Sequence, residues 1–363
     1  MDQRTPLYDQ HLNHKARMAP FAGWAMPIQY QGIVEEHGYT RHAASIFDTS
    51  HMGEFELSGP TAEADLERLL TQRIRTIQPY QCRYGFLLNP DGGVRDDLTC
   101  YRLGDDRFYL VVNAGTCAAD AEWIQAHCAP QTRFEDRSAA TAKLDIQGPK
   151  SRRMLEQILG TALPDLKFFR ACDWTLDGMP CLLSRTGYTG EWGYEIYFPA
   201  DEAERVWQRL TASGDIRPAG LGARDTLRME VGYPLYGHEL GPDRTPAAAT
   251  GGAFMDLDKP FIGAEAVRDA LAAGPTERLV GLVLEGRRAA RAGDTVWDGA
   301  EHVGTITSGS FAPSLGVAAA MAYVEHTHAQ PGHRLEIECR GKRLAAEVRA
   351  LPLYRQGTAR EVS

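Results

Sequence analysis

No stretch of about 18 apolar residues occurs, so the sequence offers no candidate membrane-spanning helix. None of the seven cysteines belongs to a C-x-x-C, which removes the common zinc and dithiol readings and leaves reduced thiols in a cytoplasmic protein as the expectation. Basic residues are not in excess: 39 Lys and Arg stand against 48 Asp and Glu, a net charge of −9. That balance argues against nonspecific nucleic-acid binding while allowing a local basic pocket. A Walker A sequence is missing, and so is the G-x-S-x-G of a serine nucleophile. Gly220-Leu-Gly-Ala-Arg-Asp225 lacks the preceding strand and third glycine of a dinucleotide loop. His37 and His42 are five apart and His238-Glu239 has no following histidine, so no bound metal is expected. The opening residues, through Pro6-Leu7, lack the basic-then-apolar pattern of a signal peptide.

What is present is an ordinary globular composition, 43% hydrophobic and 24% charged, over 363 residues. That length exceeds what one hydrophobic core supports, and two or three domains are expected. A helix is predicted from about Ile33 to Ala44, with Glu35, Glu36 and Arg41 available to solvent. A strand follows over Gly53–Leu57, stopped by Ser58-Gly59-Pro60, then a helix over Ala62–Leu70. Tyr84 to Tyr101 reads as a β-hairpin around Asn89-Pro-Asp-Gly-Gly93. A strand over Arg107–Asn113 and a helix over Ala118–Ala126 come next. Leu144-Asp-Ile-Gln-Gly-Pro149 repeats the strand, Gly-Pro stop and helix order, suggesting a duplicated α+β module. Cys181–Arg185 and Tyr194–Phe198 form a second hairpin, with Asp201 capping a helix to Leu210. Another helix spans Gly220–Val231, residues 237–252 cross between units, and a helix covers Gly263–Ala272. After Gly274-Pro275 the chain turns to short strands at close spacing, the mark of a small β-barrel or sandwich.

The first hairpin carries an oddity. Asp96 and Asp97 sit together inside a strand, where aspartate is depleted. Alternation places Val94, Asp96, Leu98 and Cys100 on one face and Arg95, Asp97, Thr99 and Tyr101 on the other, so the two carboxylates cannot form a facing dyad. The second hairpin places Tyr188, Glu191 and Glu195 where they could read the face and edges of a flat heterocycle. Composition alone favours a turn tyrosine and two solvent-facing carboxylates there. Arg224 could clamp a carboxylate, or pair with Asp225 or Glu230. Met52 reads as core and Asn113 as a strand terminator when each is taken singly.

Taken in order, the motifs carry a resemblance. Phe21-Ala-Gly-Trp-Ala-Met-Pro27, Phe47-Asp-Thr-Ser-His-Met-Gly53, Gly92-Gly-Val-Arg-Asp-Asp-Leu98, Arg185-Thr-Gly-Tyr-Thr-Gly-Glu-Trp-Gly-Tyr-Glu195, Gly222-Ala-Arg-Asp-Thr-Leu-Arg-Met-Glu230 and Gly304-Thr-Ile-Thr-Ser-Gly-Ser-Phe-Ala-Pro313 run through the chain. In that order and spacing it resembles the aminomethyltransferases, the T-proteins of the glycine cleavage system.

The resemblance implies an α+β, three-domain cloverleaf: two ferredoxin-like α+β domains, discontinuous in sequence, and a C-terminal β-barrel. The bounds would be 1–54 with 137–240, 55–136 with 241–277, and 278–363. It implies tetrahydrofolate as co-substrate and the lipoylated H-protein as partner. The reaction would move a one-carbon unit from the aminomethylated lipoyl arm to folate with release of ammonia. Asp97 would be the catalytic carboxylate and Glu195 would bond the pterin. Arg224 would hold the polar end of the ligand. Met52, Tyr84, Asn113, Tyr188 and Tyr236 would line the cavity, with Tyr354 as a further contact. Asp96 is then expected to be structural, buried and hydrogen-bonded. The Thr245–Phe254 stretch and the residues after Asn113 depart from the family pattern, bearing on loop packing and on docking. Two other readings use the same scaffold: a folate-dependent demethylase of a sulfonium or N-methyl donor, and a non-catalytic folate-binding protein of iron–sulfur maintenance. The second carries a Lys-Gly-Cys-Tyr-x-Gly-Gln-Glu motif, whereas this chain has Lys259-Pro-Phe-Ile-Gly-Ala-Glu265, without the cysteine.

Overall fold

The structure is a computed structural model that describes residues 2–361. Two sheets and a barrel organise it. One sheet has six strands in the order Ala171–Leu176, Met179–Ser184, Gly193–Pro199, Thr141–Gln147, Ser45–Asp48, Arg217–Pro218. The other has five, ordered Cys82–Leu88, Val94–Arg102, Arg107–Val112, Gly53–Ser58, Arg133–Asp136. Pairing is antiparallel within both, except where Arg217–Pro218 runs parallel to Ser45–Asp48. Six antiparallel strands between Glu277 and Arg349 close a barrel. The expected α+β class with a C-terminal barrel is therefore what the chain forms.

Each sheet buries one face under helices, because its strands alternate apolar and polar residues. Leu144, Ile146, Leu183 and Ile196 pack with Leu155, Val206 and Trp207 from the helices Ser151–Leu159 and Ala203–Thr211. Phe55, Leu57, Leu98 and Leu110 pack with Leu66, Leu69 and Ile124 from Ala62–Leu69 and Cys117–His127. The strand, Gly-Pro, helix order recurs in both, as the repeated motif suggested.

The two sheets meet at their edges. Cys82 N–H donates to the Phe169 carbonyl at 3.0 Å and Ala171 N–H to that of Tyr80 at 2.8 Å. Tyr101, Tyr109 and Tyr197 fill the seam. The barrel docks on the helix Leu221–Glu230: the Arg228 guanidinium donates to Glu239 at 2.8 Å and to Ser308 Oγ at 2.7 Å, all three being buried.

Several local expectations change. Glu36 is buried, and its carboxylate accepts from the N–H groups of Tyr30, Gln31, Gly32 and Gly220. Arg41 is buried between Glu191 and Glu230 at 2.9 and 3.0 Å. Both lie on a helix face that periodicity assigned to solvent, but that face carries the next layer of the protein. Asp201 caps nothing: a 3-10 turn over Ala200–Glu202 precedes the helix, whose N-cap Glu202 makes no side-chain capping bond.

Candidate active site at the seam of the two sheets

The first hairpin turns on residues suited to it. Gly92 adopts φ +80°, and Gly93 N–H donates to Asn89 Oδ1 at 2.9 Å. The crossing segment then pins the turn, with Asn89 Nδ2 donating to the Pro242 carbonyl at 3.0 Å and Val94 N–H reaching the Gly241 carbonyl at 3.0 Å. A Cβ on Gly93 would lie 1.8 Å from the Pro242 oxygen, so only glycine allows this approach.

The register shifts between Leu87 and Leu88: Leu87 pairs with Asp96 but Leu88 pairs with Val94, leaving Arg95 unpaired in a bulge. Alternation from Asp96 onward is as predicted, with Leu98 and Cys100 in the helix-covered core. The bulge nonetheless moves Val94 to the other face, into the cluster of Phe86 and Leu88, correcting the face assigned to it. The Arg95 guanidinium instead stacks on Trp123 at 4.1 Å.

Asp97 is half-buried, and its carboxylate accepts from Tyr84 Oη and Asn113 Nδ2, each at 2.9 Å. Burial, and next the negative charge of Asp96, push its pKa up to about 7. Asp96 is fully buried, accepting from Asn113 N–H at 2.9 Å and Asn113 Nδ2 at 2.8 Å, the bonded structural position expected for it. Asn113 is not merely a strand terminator. Standing one residue past Arg107–Val112, its side chain reaches both strand faces at once.

Across the seam the central strand Thr141–Gln147 presents Lys143 and Asp145, both buried. Lys143 Nζ donates to Glu195 Oε1 at 2.8 Å, lies 3.0 Å from Asp145 Oδ1 and contacts Met52 Sδ at 3.7 Å. Glu195 Oε2 accepts from Thr186, Tyr197 and Tyr101, whereas Oε1 has Lys143 as its protein donor and keeps acceptor capacity for a ligand N–H. Glu195 and Glu191 are therefore buried and paired, not solvent-facing as composition favoured. Arg224 pairs with Asp145 at 2.7 Å rather than with Asp225 or Glu230, and its guanidinium lies 5.0 Å from the Tyr188 ring centre. Tyr188 Oη is fixed by the Pro234 carbonyl, which leaves its ring as the contact surface.

Most of the anticipated residues thus converge. Tyr84 and Tyr236 pack around the same apolar cluster beside Asp97. The charges of Asp96 and Asp97 reach Tyr236, and that of Asp97 reaches Tyr188. Met52 bridges the halves, packed in the tyrosine seam while touching Lys143. Tyr354 stands apart: Arg41 lies 4.0 Å over its ring and its N–H bonds the Glu230 carbonyl.

A cleft of about 440 Å³ opens along Tyr84, walled by Cys82, Arg83, Phe168, Phe169 and Phe254. A second, of about 510 Å³ between His14, Tyr30 and Arg217, contains none of the anticipated residues. Among the described residues no group of three or more His, Cys, Asp or Glu could hold a metal.

Lys143, Asp145 and Asp120 were not anticipated. Lys143, Asp145 and Gln147 alternate with Leu144 and Ile146, a pattern that signals a polar strand face but not that another part of the protein covers it.

The family model described as "GCVT N-terminal domain" matches residues 7–259, and "Glycine cleavage T-protein C-terminal barrel domain" matches 277–355. The chain is 44% identical to the aminomethyltransferase of Desulforamulus reducens over 358 residues, 98% of each chain. It is 42% identical to that of Moorella thermoacetica over 359 residues, again 98% of each. A crystal structure of the glycine cleavage system aminomethyltransferase T from Bartonella henselae superposes with a TM-score of 0.93 at 34% identity, covering 99% of both chains. Both domain models, full-length relatives and the shared architecture agree, and neither the demethylase nor the iron–sulfur reading is favoured. The chain belongs to the aminomethyltransferase family, the T-proteins of the glycine cleavage system.

Proposed function

We propose that this protein transfers the one-carbon unit of an aminomethyl group, carried on the dihydrolipoyl sulfur of an H-protein, to tetrahydrofolate. Ammonia and the reduced lipoyl arm are released and methylenetetrahydrofolate forms. The observation that carries the site reading is the Asp97 carboxylate, held by Tyr84 and Asn113 and half-buried where the two sheets meet.

Tetrahydrofolate supplies the nucleophilic nitrogens. The protein's part is to orient them, exclude water and meet the positive charge that develops on nitrogen as the methylene carbon is captured. A carboxylate fixed in a half-desolvated site stabilises that charge more strongly than water does, and is poised to accept a proton. Its elevated pKa, about 7, matches that second task at neutral pH. Glu195 Oε1 is the acceptor we assign to the pterin N–H edge, with Lys143 holding the carboxylate in place. The ring faces of Tyr84 and Tyr188, with Met52 and Tyr236, form the walls, and Arg224 the cationic end. Tyr354, with its ring under Arg41, belongs to a supporting layer in this reading. We take the domains as 1–54 with 137–240, 55–136 with 241–277, and 278–363, acting in the cytoplasm.

The test is turnover with aminomethyl-loaded H-protein, following ammonia with and without tetrahydrofolate. Release of stoichiometric ammonia that depends on both is expected. Folate-independent release, or no release with a folded protein, overturns the proposal.

A further inference from the structure

Behind Asp97 lies a second pair of carboxyls that the reaction as described leaves idle. Asp96 is 0% exposed and Asp120, on the helix Cys117–His127, is 1% exposed. Asp120 faces Asp96, and its Oδ2 is buried without a donor. Two carboxylates held together out of water do not both ionise; one retained proton, shared between them, supplies the missing donor and removes the repulsion. Among the described residues no Lys or Arg forms an ion pair with either carboxyl, although the Arg95 charge acts on Asp120. Arg95 is stacked on Trp123 with its Nε buried and unbonded. The other titratable groups facing the pair are Asp97, Tyr84, Tyr236 and, on the Asp120 helix, Cys117.

The connection to Asp97 is through one amide. Asn113 Nδ2 donates at 2.8 Å to Asp96 Oδ1 and at 2.9 Å to Asp97 Oδ1, while Asn113 N–H holds Asp96 Oδ2 at 2.9 Å. Asp96 accepts from both groups of Asn113, so it fixes the angle at which the amide presents its remaining hydrogen to Asp97. Its charge also lies one residue away in a water-poor interior, where like charges interact strongly.

We propose that Asp96, backed by Asp120, is a positioning residue of the transfer reaction: acting through Asn113, it aims the Asp97 carboxylate, and the charge it shares with Asp120 governs the charge on Asp97. Asp96 thereby has a functional task beyond filling its face of the hairpin. The inference rests on Asp97 being the catalytic carboxylate.

The electrostatic consequence has a sign. Burial and Asp120 together raise Asp96, and burial carries Asp120 to about 6. In Asp96→Asn the part of the pair's shared charge that lies beside Asp97 is gone, the remaining charge withdraws to Asp120 on the far side, and Asp97 ionises more easily. In Asp120→Asn the shared proton is lost, an amide donor replaces it, and a full charge settles on Asp96, so Asp97 ionises less easily. The two substitutions, both neutral and nearly isosteric, therefore drive the acid limb of turnover in opposite directions.

The experiment measures turnover against pH for the full-length wild type, Asp96→Asn, Asp120→Asn and Asp97→Asn, using aminomethyl-loaded H-protein and tetrahydrofolate. Far-UV circular dichroism monitors folding. The limb is expected to fall by about one pH unit in Asp96→Asn and to rise by a comparable amount in Asp120→Asn. A merely structural role lowers the plateau and leaves the midpoint alone, so midpoints unmoved in both variants overturn the inference. So do midpoints moving the same way. If Asp96→Asn does not fold, Asp120→Asn alone decides by the presence or absence of the upward shift. Asp97→Asn separates the two levels. A surviving limb and normal turnover there refute the role of Asp97. A limb lost there yet unmoved in the other variants refutes only the role of Asp96.

Discussion

Replacing Asp97 by asparagine removes one charge and changes almost nothing in shape. The amide oxygen still accepts from Asn113 Nδ2, and Tyr84 Oη, now a donor to Oδ2, becomes the acceptor for the new amide hydrogens. The charge is what the fold disfavours. A carboxyl carried from 3.8 to about 7 binds more protons folded than unfolded across that window. Its contribution to stability is therefore fully present below the unfolded pKa and is lost as pH rises through the folded one. At about 1.4 kcal/mol per pH unit the ceiling is about 4 kcal/mol. Roughly two of the three units lie between pH 5 and 7, so comparing pH 5 with pH 8 captures about 3 kcal/mol at most. Water around a half-buried carboxylate brings the expectation to about 1–2 kcal/mol.

Urea denaturation at both pH values reads this directly, because the asparagine variant lacks the component that wild type loses. The variant should gain relative stability at pH 8 while turnover falls about a hundredfold or more, the scale of a lost charge-stabilising group. The rising limb of turnover near pH 7 should vanish with it. A stabilised and inactive protein is the signature of a site held in an unfavourable state for the sake of its chemistry. A variant with near-normal turnover would refute the catalytic assignment, and one that is relatively weaker at pH 8 than at pH 5 would refute the electrostatic reasoning.

Tyr84→Phe removes a donor that favours ionised Asp97, so the acid limb of turnover should move upward by about half a pH unit to one unit, and a limb displaced downward would contradict that. Lys143→Met leaves Glu195 and Asp145 buried without their shared cation and should cost about 3–5 kcal/mol in chemical denaturation; a loss under 1 kcal/mol would mean water or Arg224 takes over. Gly93→Ala forces a Cβ to within 1.8 Å of the Pro242 carbonyl, so the hairpin or the crossing segment must shift, at about 2 kcal/mol or more, read as a lower melting temperature. An unchanged melting temperature would show that the turn has slack there.

The fold was legible where local rules and tertiary context agree. The Asn-Pro-Asp-Gly-Gly turn, the strand and Gly-Pro repeats and the run of short strands after Gly274 each follow from backbone constraints that neighbours do not override. Legibility failed where a face that reads as solvent is covered by another part of the chain. Glu36 and Arg41 sit at helix positions that periodicity gives to water, and Glu191 and Glu195 at hairpin positions that composition gives to it, yet other parts of the chain bury all four with fixed partners. A one-residue bulge was equally invisible, since alternation counts residues and Arg95 is counted but not paired. The two aspartates show both limits together. Their opposite faces could be read from spacing, but not that Asn113 would reach around the strand end to both. Nor could spacing place a third carboxyl, Asp120, behind them from a helix some twenty residues later. Three acids gathered in a buried seam cost stability that a hydrophobic core would not. On the proposed reading of the site, a chain that keeps them at a hairpin otherwise built for packing spends that stability on the charge of Asp97.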